Sequence, residues 1–131
     1  MYKYKILITW HYLLPLKKEY KKILNEAKIS FDIKRVNPSL NELQLSKIIR
    51  KYDGIICGDD EISKKVIDEA KNLKVISKWG TGIDSIEHEY AQKKGIKVFN
   101  TKNAFTNGVA TMAIAMILSF YRKIIKNHND I

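Results

Sequence analysis

The sequence has 131 residues, of which 45% are hydrophobic and 29% are charged, proportions that are typical of a single globular domain. It contains no run of about 20 apolar residues, which argues against a membrane span, and its one cysteine, Cys57, excludes an internal disulfide and suits a reducing cytoplasm. The net charge of +10 raises nucleic acid as a partner, but the lysines are mixed with acidic residues, and solvated lysine faces are the favoured interpretation.

The N-terminal part of the chain alternates between strand-like and helix-like patterns. Residues 4–9 form a predicted strand, and a helix is predicted to begin near Pro15. Residues 29–36 alternate apolar and polar side chains, which indicates a half-exposed outer strand, and Asn41 is a candidate N-cap for a second helix. The side chains that the two helices are predicted to bury are Tyr20, Ile23, Leu24 and Ala27, then Leu43, Leu45, Ile48 and Ile49.

The same alternation continues as far as residue 100. Residues 53–58 and 73–77 read as short buried strands, and residues 96–100 form a fifth strand. Ser63 is a candidate N-cap for the third helix, and Gly95 ends the fourth. The side chains that these helices are predicted to bury are Val66, Ile67 and Ala70, then Ile86, Tyr90 and Ala91. Five strands that alternate with helices predict an α/β fold with a parallel sheet and right-handed crossovers.

A glycine loop, Trp79–Gly82, directly follows the fourth predicted strand, and the next helix is predicted to begin at residues 84–85. Such a loop exposes backbone N–H groups, and those of Thr81 and Gly82 are candidates for binding a small anion such as a carboxylate. A dinucleotide fingerprint is disfavoured, because its third glycine is replaced by the serine of that helix start and its acidic residue falls near Asn100. A tight turn without any ligand remains the alternative.

Other residues that carry chemistry do not form a recognisable site in the sequence. They are Cys57, Asp59, Asp60, His11, His88 and His128. The cysteine ends a buried strand, so core packing is favoured over a nucleophilic role. The histidines lack metal-ligand spacing, and the two aspartates are better explained by a solvated loop than by a cation site. No catalytic residue and no metal site is therefore assigned.

The C-terminal part of the chain has a different pattern. Residues 101–108 form a predicted polar loop, and residues 126–130 form a polar tail. Between them, apolar side chains recur at helical spacing and predict one long amphipathic helix. Its apolar stripe comprises Val109, Met112, Ala113, Met116, Ile117, Phe120, Tyr121 and Ile124.

Four motifs occur in an order that resembles the D-isomer-specific 2-hydroxyacid dehydrogenases. They are D-G-I-I at residues 53–56, L-K-V-I-S-K-W-G-T-G-I-D at 73–84, G-I-K-V-F-N-T at 95–101 and V-A at 109–110. The resemblance is to the phosphoglycerate-dehydrogenase-like branch of the family and covers roughly residues 50–125. It implies a flavodoxin-like substrate-binding domain over residues 1–106.

The same resemblance implies a function for the loop. In the family, the segment that matches Trp79–Gly82 binds the substrate carboxylate through backbone amides. The segment 107–131 then corresponds to the helix that bridges into an NAD-binding Rossmann domain, and that domain is expected to be absent here. The family's catalytic arginine, glutamate and histidine lie outside the matched region, so no cofactor-binding residue is assigned and the isolated chain is expected to be inactive and to bind no NAD alone.

Three positions depart from the family pattern. Thr111 stands where an acidic residue is usual, and Phe105 stands where many members have asparagine. The segment Gly58–Asp60 replaces a loop that supplies an arginine to a phosphate in some members, and two carboxylates there disfavour a phosphorylated substrate unless Lys78 or another chain supplies the cation. The departures at Thr111 and Phe105 support an alternative function, a non-catalytic module that forms homodimers through the helix Val109–Ile124.

Overall fold

A computed structural model describes residues 2–10 and 15–129. Within these residues the chain forms five strands and six α-helices, which alternate up to the fifth strand. The elements are β1 (Tyr4–Ile8), α1 (Lys17–Glu26), β2 (Ile29–Ile33), α2 (Glu42–Ser46), β3 (Gly54–Cys57), α3 (Lys64–Glu69), β4 (Val75–Lys78), α4 (His88–Lys93), β5 (Lys97–Phe99), α5 (Thr106–Tyr121) and α6 (Ile124–Asn129). A short 3-10 turn, Ile49–Lys51, precedes β3.

The described strands form one parallel sheet in the order β2-β1-β3-β4-β5. Ile8 of β1 lies between Ile33 of β2 and Ile56 of β3, and Ile56 pairs in turn with Ser77 of β4. This strand order is that of the flavodoxin-like doubly wound fold, so the predicted fold class is confirmed. All five strands therefore end at the same edge of the sheet, where such folds place binding clefts.

Each face of the sheet contributes to a separate cluster of apolar side chains. Leu7, Ile55 and Ile76 pack with buried residues of α2, α3 and α4 on one face. Ile6 and Ile8 point to the opposite face and pack with residues of α1. The alternation follows from the two-residue period of a strand, which sends successive side chains to opposite faces.

Several local predictions are confirmed by the backbone geometry. The Asn41 side chain accepts a hydrogen bond from the Gln44 N–H, and the Gln44 side chain accepts one in return, which completes a capping box. Ser63 also caps its helix, α3, because its hydroxyl oxygen accepts a hydrogen bond from the Val66 N–H. Gly95 adopts φ of 79°, a conformation that glycine reaches without strain, directly after α4. Strand β2 is half-buried throughout, as expected for an outer strand.

Several details of the predicted helices are wrong. The side chains of Ile23 and Leu43 are 64% and 59% exposed, because each lies on the solvent side of its short helix. Ala27 is also exposed, because α1 ends before it, at Glu26. Helix α4 begins at His88 instead of residues 84–85. The intervening segment is held by Ile62, whose N–H donates to the Ser85 carbonyl and whose carbonyl accepts from the Glu87 N–H. These tertiary hydrogen bonds take the place of the first helical turn.

The chain divides into two compact units, one that extends to Thr101 and a second that begins at Lys102. In the second unit α5 begins at Thr106, inside the predicted loop, and ends at Tyr121. Lys123 then adopts φ of 51°, so α6 is a separate helix and the predicted stripe is divided between two helices. Among the described residues, no helix is long and apolar enough to cross a membrane.

The apolar residues of α5 extend beyond the predicted stripe. Ile114 and Leu118 lie off the stripe and are exposed, as are Val109, Met112, Met116 and Ile117. Between residues 109 and 118 the only polar side chain is that of Thr111. The helix is therefore apolar around most of its circumference, a pattern that is typical of a helix covered on several sides.

Candidate functional site

Four loops converge at the edge where the parallel strands end. Thr9 follows β1, the segment 58–60 follows β3, Trp79–Gly82 follows β4, and Asn100 and Thr101 follow β5. Hydrogen bonds join two of these loops to the neighbouring strand β3: the Thr9 N–H donates to the Ile56 carbonyl at 3.0 Å. The Trp79 N–H donates to the Cys57 carbonyl at 2.8 Å. The predicted anion loop is thus anchored directly to the neighbouring strand.

The loop Trp79–Gly82 is fixed from its other side by the residues after β5. The Thr101 N–H donates to the Gly80 carbonyl at 2.8 Å, and the Asn100 side-chain amide donates to the Thr81 carbonyl at 2.6 Å. Gly80 adopts φ of 147°, which side-chain-bearing residues rarely adopt. These contacts fix the loop, and they leave the carbonyls of Gly80 and Thr81 already hydrogen-bonded to the residues after β5.

Two N–H groups of this loop are available to a ligand. No residue in the described part of the chain accepts a hydrogen bond from the N–H of Thr81 or Gly82, and both residues are exposed. Two adjacent donors of this kind can hold one carboxylate. No helix dipole from α4 contributes at this loop, because α4 begins six residues beyond Gly82, at His88. The Asp84 carboxylate lies close to Gly82 and opposes the approach of a highly charged anion.

A buried lysine connects this loop to its neighbour. The Lys78 side chain is only 5% exposed, and its Nζ donates to the Gly58 carbonyl at 2.5 Å and to the Asp59 carboxylate at 2.6 Å. The Lys78 ammonium therefore donates a hydrogen bond to one loop carbonyl and neutralises the charge of one carboxylate. The Asp59 side chain is 76% exposed, which confirms the predicted solvated loop at that position.

Asp60 contradicts the prediction of a solvated loop, because the residue is 1% exposed. Its Oδ2 accepts hydrogen bonds from the Thr9 hydroxyl at 2.5 Å and from the Gly58 N–H at 3.2 Å. Its Oδ1 accepts one from the Leu40 N–H at 2.7 Å. Asp60 thus ties together three loops. Among the described residues, no group of three or more side chains could hold a metal ion.

The remaining predicted residues do not join this site as reactive groups. Cys57 is fully buried, and burial raises the pKa of its thiol to about 12, which confirms the expected role in core packing. His88 begins α4 and His128 lies on α6, whereas His11 lies outside the described residues. No nucleophile–base pair can be drawn from the described residues Cys57, His88 and His128.

Sequence reasoning missed Thr9 and the close contact between Trp10 and Gly58. A Cβ atom on Gly58 would lie 1.9 Å from Cε3 of the Trp10 ring, so glycine is required there. The sequence signal that could have identified Thr9 is its position as a polar residue at the end of an apolar strand. The Trp10 contact has no counterpart in the local sequence pattern.

The loop does not fit a dinucleotide. The Gly80 N–H faces the Thr101 hydroxyl at 3.4 Å, and Ser85 stands where the third glycine of the fingerprint would lie. The loop also lacks the long helix whose N-terminus would receive the pyrophosphate. The described loop therefore departs from the dinucleotide fingerprint in its glycine spacing and in the helix that follows it.

Comparison with protein families gives a match that covers most of the chain. Residues 6–123 match the model for the D-isomer specific 2-hydroxyacid dehydrogenase catalytic domain. A Staphylococcus epidermidis protein assigned to the 2-hydroxyacid dehydrogenases is 43% identical over 65 residues, which is 50% of this chain and 20% of that protein. The chain thus spans about a fifth of this relative's length.

Solved structures show the same fold. A protein of Pyrococcus horikoshii OT3 superposes with a TM-score of 0.74 and 28% identity over 97% of this chain and 36% of its own. The NAD+-bound 3-phosphoglycerate dehydrogenase of Entamoeba histolytica gives a TM-score of 0.68 and 26% identity over 92% of this chain and 40% of its own. The chain therefore corresponds to little more than a third of either protein.

Proposed function

Because the chain belongs to the D-isomer-specific 2-hydroxyacid dehydrogenases, we propose that it is the substrate-binding part of an NAD-dependent oxidoreductase that acts on the CH–OH group of a D-2-hydroxy acid. The substrate-binding domain is assigned to residues 1–106, and residues 107–131 are assigned to the bridge toward an NAD-binding domain. We also propose a cytoplasmic location, because a single buried thiol suits a reducing compartment.

The substrate carboxylate is assigned to Trp79, Gly80, Thr81 and Gly82. The observation that carries this assignment is the pair of exposed N–H groups on Thr81 and Gly82, which have no acceptor among the described residues. A carboxylate that bridges them gains two charge-assisted hydrogen bonds without any rearrangement of the loop. Binding is expected to be weak, because the loop is exposed and water competes for both donors.

The proposed binding is measurable by intrinsic fluorescence, because Trp10 and Trp79 are the two tryptophans of the sequence. Titration with D-lactate is expected to change the emission of Trp79, which lies in the loop and is 41% exposed. The Trp79→Phe variant is the matched control and should lose this change. Saturable emission changes of equal size in wild type and variant would place the acid elsewhere.

Turnover is a separate test of the proposal. The 131-residue chain has no G-x-G-x-x-G segment and is expected to bind no NAD by itself. The purified chain should therefore fail to oxidise NADH when 2-keto acids are added. Measurable reduction of pyruvate by the pure chain would refute the assignment of its role as substrate-binding part only.

Helix α5 favours a second function, that of a non-catalytic dimerising module. Its apolar side chains are exposed in the described structure, and a helix of this composition is stabilised by covering those side chains. Homodimerisation through Val109–Ile124 would cover them. Light scattering should then give a dimer mass that falls to the monomer mass in Met116→Glu, whereas Thr111→Glu, on a more polar position, should have the smaller effect.

A further inference from the structure

The ion pair between Lys78 and Asp59 is an unusual feature of the proposed substrate edge. Lys78 is one of the few charged residues that the described structure buries, and its side chain passes beneath the carboxylate loop, with Cε 3.5 Å from the position of a Cβ on Gly80. Its ammonium group donates to Gly58 and Asp59 of the β3 loop. The lysine therefore brings a positive charge to the β3 loop from beneath the β4 loop, and a bound acid would touch both loops.

That positive charge is already compensated. Two of the three Nζ donors are used by the Gly58 carbonyl and the Asp59 carboxylate. Asp59 itself is mostly exposed, so its negative charge faces the solvent side of the pair. The Asp84 carboxylate near Gly82 adds a second negative charge to this edge. Within the described residues of the unit that extends to Thr101, the other cations that directly follow a strand at this edge are Lys34 and Arg35, which come after β2, two strands away from β3.

We propose that the Asp59–Lys78 pair makes the site selective for 2-hydroxy acids with a single negative charge, against acids that carry a second anionic group. This inference rests on the proposed function. One carboxylate needs only the N–H groups of Thr81 and Gly82, whereas a second phosphate or carboxylate group meets Asp59 and finds no uncompensated cation among the described residues of the β3 and β4 loops. Removing the Asp59 charge leaves Lys78 in place through its bond to Gly58 and makes its charge available.

The test compares two acids on three proteins at constant ionic strength, because salt screens exposed charges. The acids are D-lactate and D-3-phosphoglycerate, and the readout is the tryptophan emission titration. The proteins are wild type, Asp59→Asn and the matched control Asp68→Asn. Asp68, on α3, also pairs with a lysine, Lys94, at 2.9 Å, but that lysine directly follows α4. Asparagine retains an oxygen that can accept from Lys78, and circular dichroism confirms that each variant is folded.

The wild type should bind D-lactate more tightly than D-3-phosphoglycerate. In Asp59→Asn the Kd for D-3-phosphoglycerate should fall about tenfold, a change of the size expected for one partly screened charge, whereas the Kd for D-lactate should stay within about twofold. Asp68→Asn should leave both values within about twofold of wild type.

An unchanged ratio of the two Kd values in Asp59→Asn, with D-lactate still bound, would overturn the selectivity and leave the proposed function standing. Tighter binding of D-3-phosphoglycerate than of D-lactate by the wild type would also overturn it. Binding of neither acid to any of the three proteins would overturn both the selectivity and the proposed function.

Discussion

At the carboxyl edge of the sheet, the carboxylate of Asp60 accepts hydrogen bonds from residues of three segments, namely Thr9, Leu40 and Gly58. The residue is almost fully buried, so each donor would lose its partner in a dry environment if the carboxylate were removed. We therefore infer that Asp60 stabilises the loops of the site. The contacts with the substrate are assigned to the N–H groups of Thr81 and Gly82.

Asp60→Asn should lower the free energy of unfolding by about 3 kcal/mol, because the amide replaces one acceptor oxygen with a donor that faces other donors. Urea denaturation at pH 7 measures this change. Asp84→Asn is the control, since Asp84 is exposed, and should stay within about 0.5 kcal/mol of wild type. Equal effects of the two substitutions would contradict the structural role of Asp60.

Asp53 gives the protein a predictable dependence on pH. Partial burial acts to raise the pKa of its carboxyl, but the Lys74 ammonium at 2.5 Å and the Lys5 N–H at 2.9 Å outweigh burial and lower it. A carboxyl whose pKa is lowered in the folded state stabilises that state above the unfolded pKa, near pH 4. This contribution is lost as the pH falls through the folded pKa.

Asp53→Asn should therefore destabilise the protein by about 1–2 kcal/mol at pH 7, and the difference from wild type should shrink at pH 3. Urea denaturation at both pH values measures it. A difference that grows as the pH falls would show that the sign of the linkage is wrong.

At the scale of elements, Gly58 determines how closely the β3 loop approaches the end of β1. Gly58→Ala should cost about 1–3 kcal/mol, because the new Cβ would overlap the Trp10 ring. Gly108→Ala in α5 is the matched control, since no atom lies within 4 Å of its Cβ position and alanine favours a helix. Thermal unfolding should show a lower Tm for the first variant only.

Strand and helix identities could be predicted from the sequence because they depend on apolar periodicity within a few residues. The start of α4 could not, because the hydrogen bonds of Ile62 to Ser85 and Glu87 join segments more than 20 residues apart. The Asp60 and Lys78 networks escaped prediction for the same reason, since, apart from the Gly58 N–H that donates to Asp60, their partners are 19 to 51 residues distant and meet only in the folded sheet. The glycine loop was found because its chemistry is local.

At the scale of the whole molecule, family membership and the parallel sheet lead to the same interpretation of the loop after β4. The chain spans 36% and 40% of the two solved relatives. Turnover of the substrate is therefore proposed only for an enzyme that also includes an NAD-binding domain. The unit that extends to Thr101 contains every residue assigned to the acid. Binding of a carboxylate is therefore the part of the proposed function that can be tested directly on this chain.

The central claim is that Thr81 and Gly82 bind a substrate carboxylate through their N–H groups. A titration of ¹⁵N-labelled protein with D-lactate, followed by amide chemical shifts, tests it most directly. The largest saturable shifts should belong to the amides of Thr81 and Gly82, with smaller shifts at their neighbours in the loop. Shifts centred on another part of the chain, or no saturable shift at these two amides, would contradict the claim.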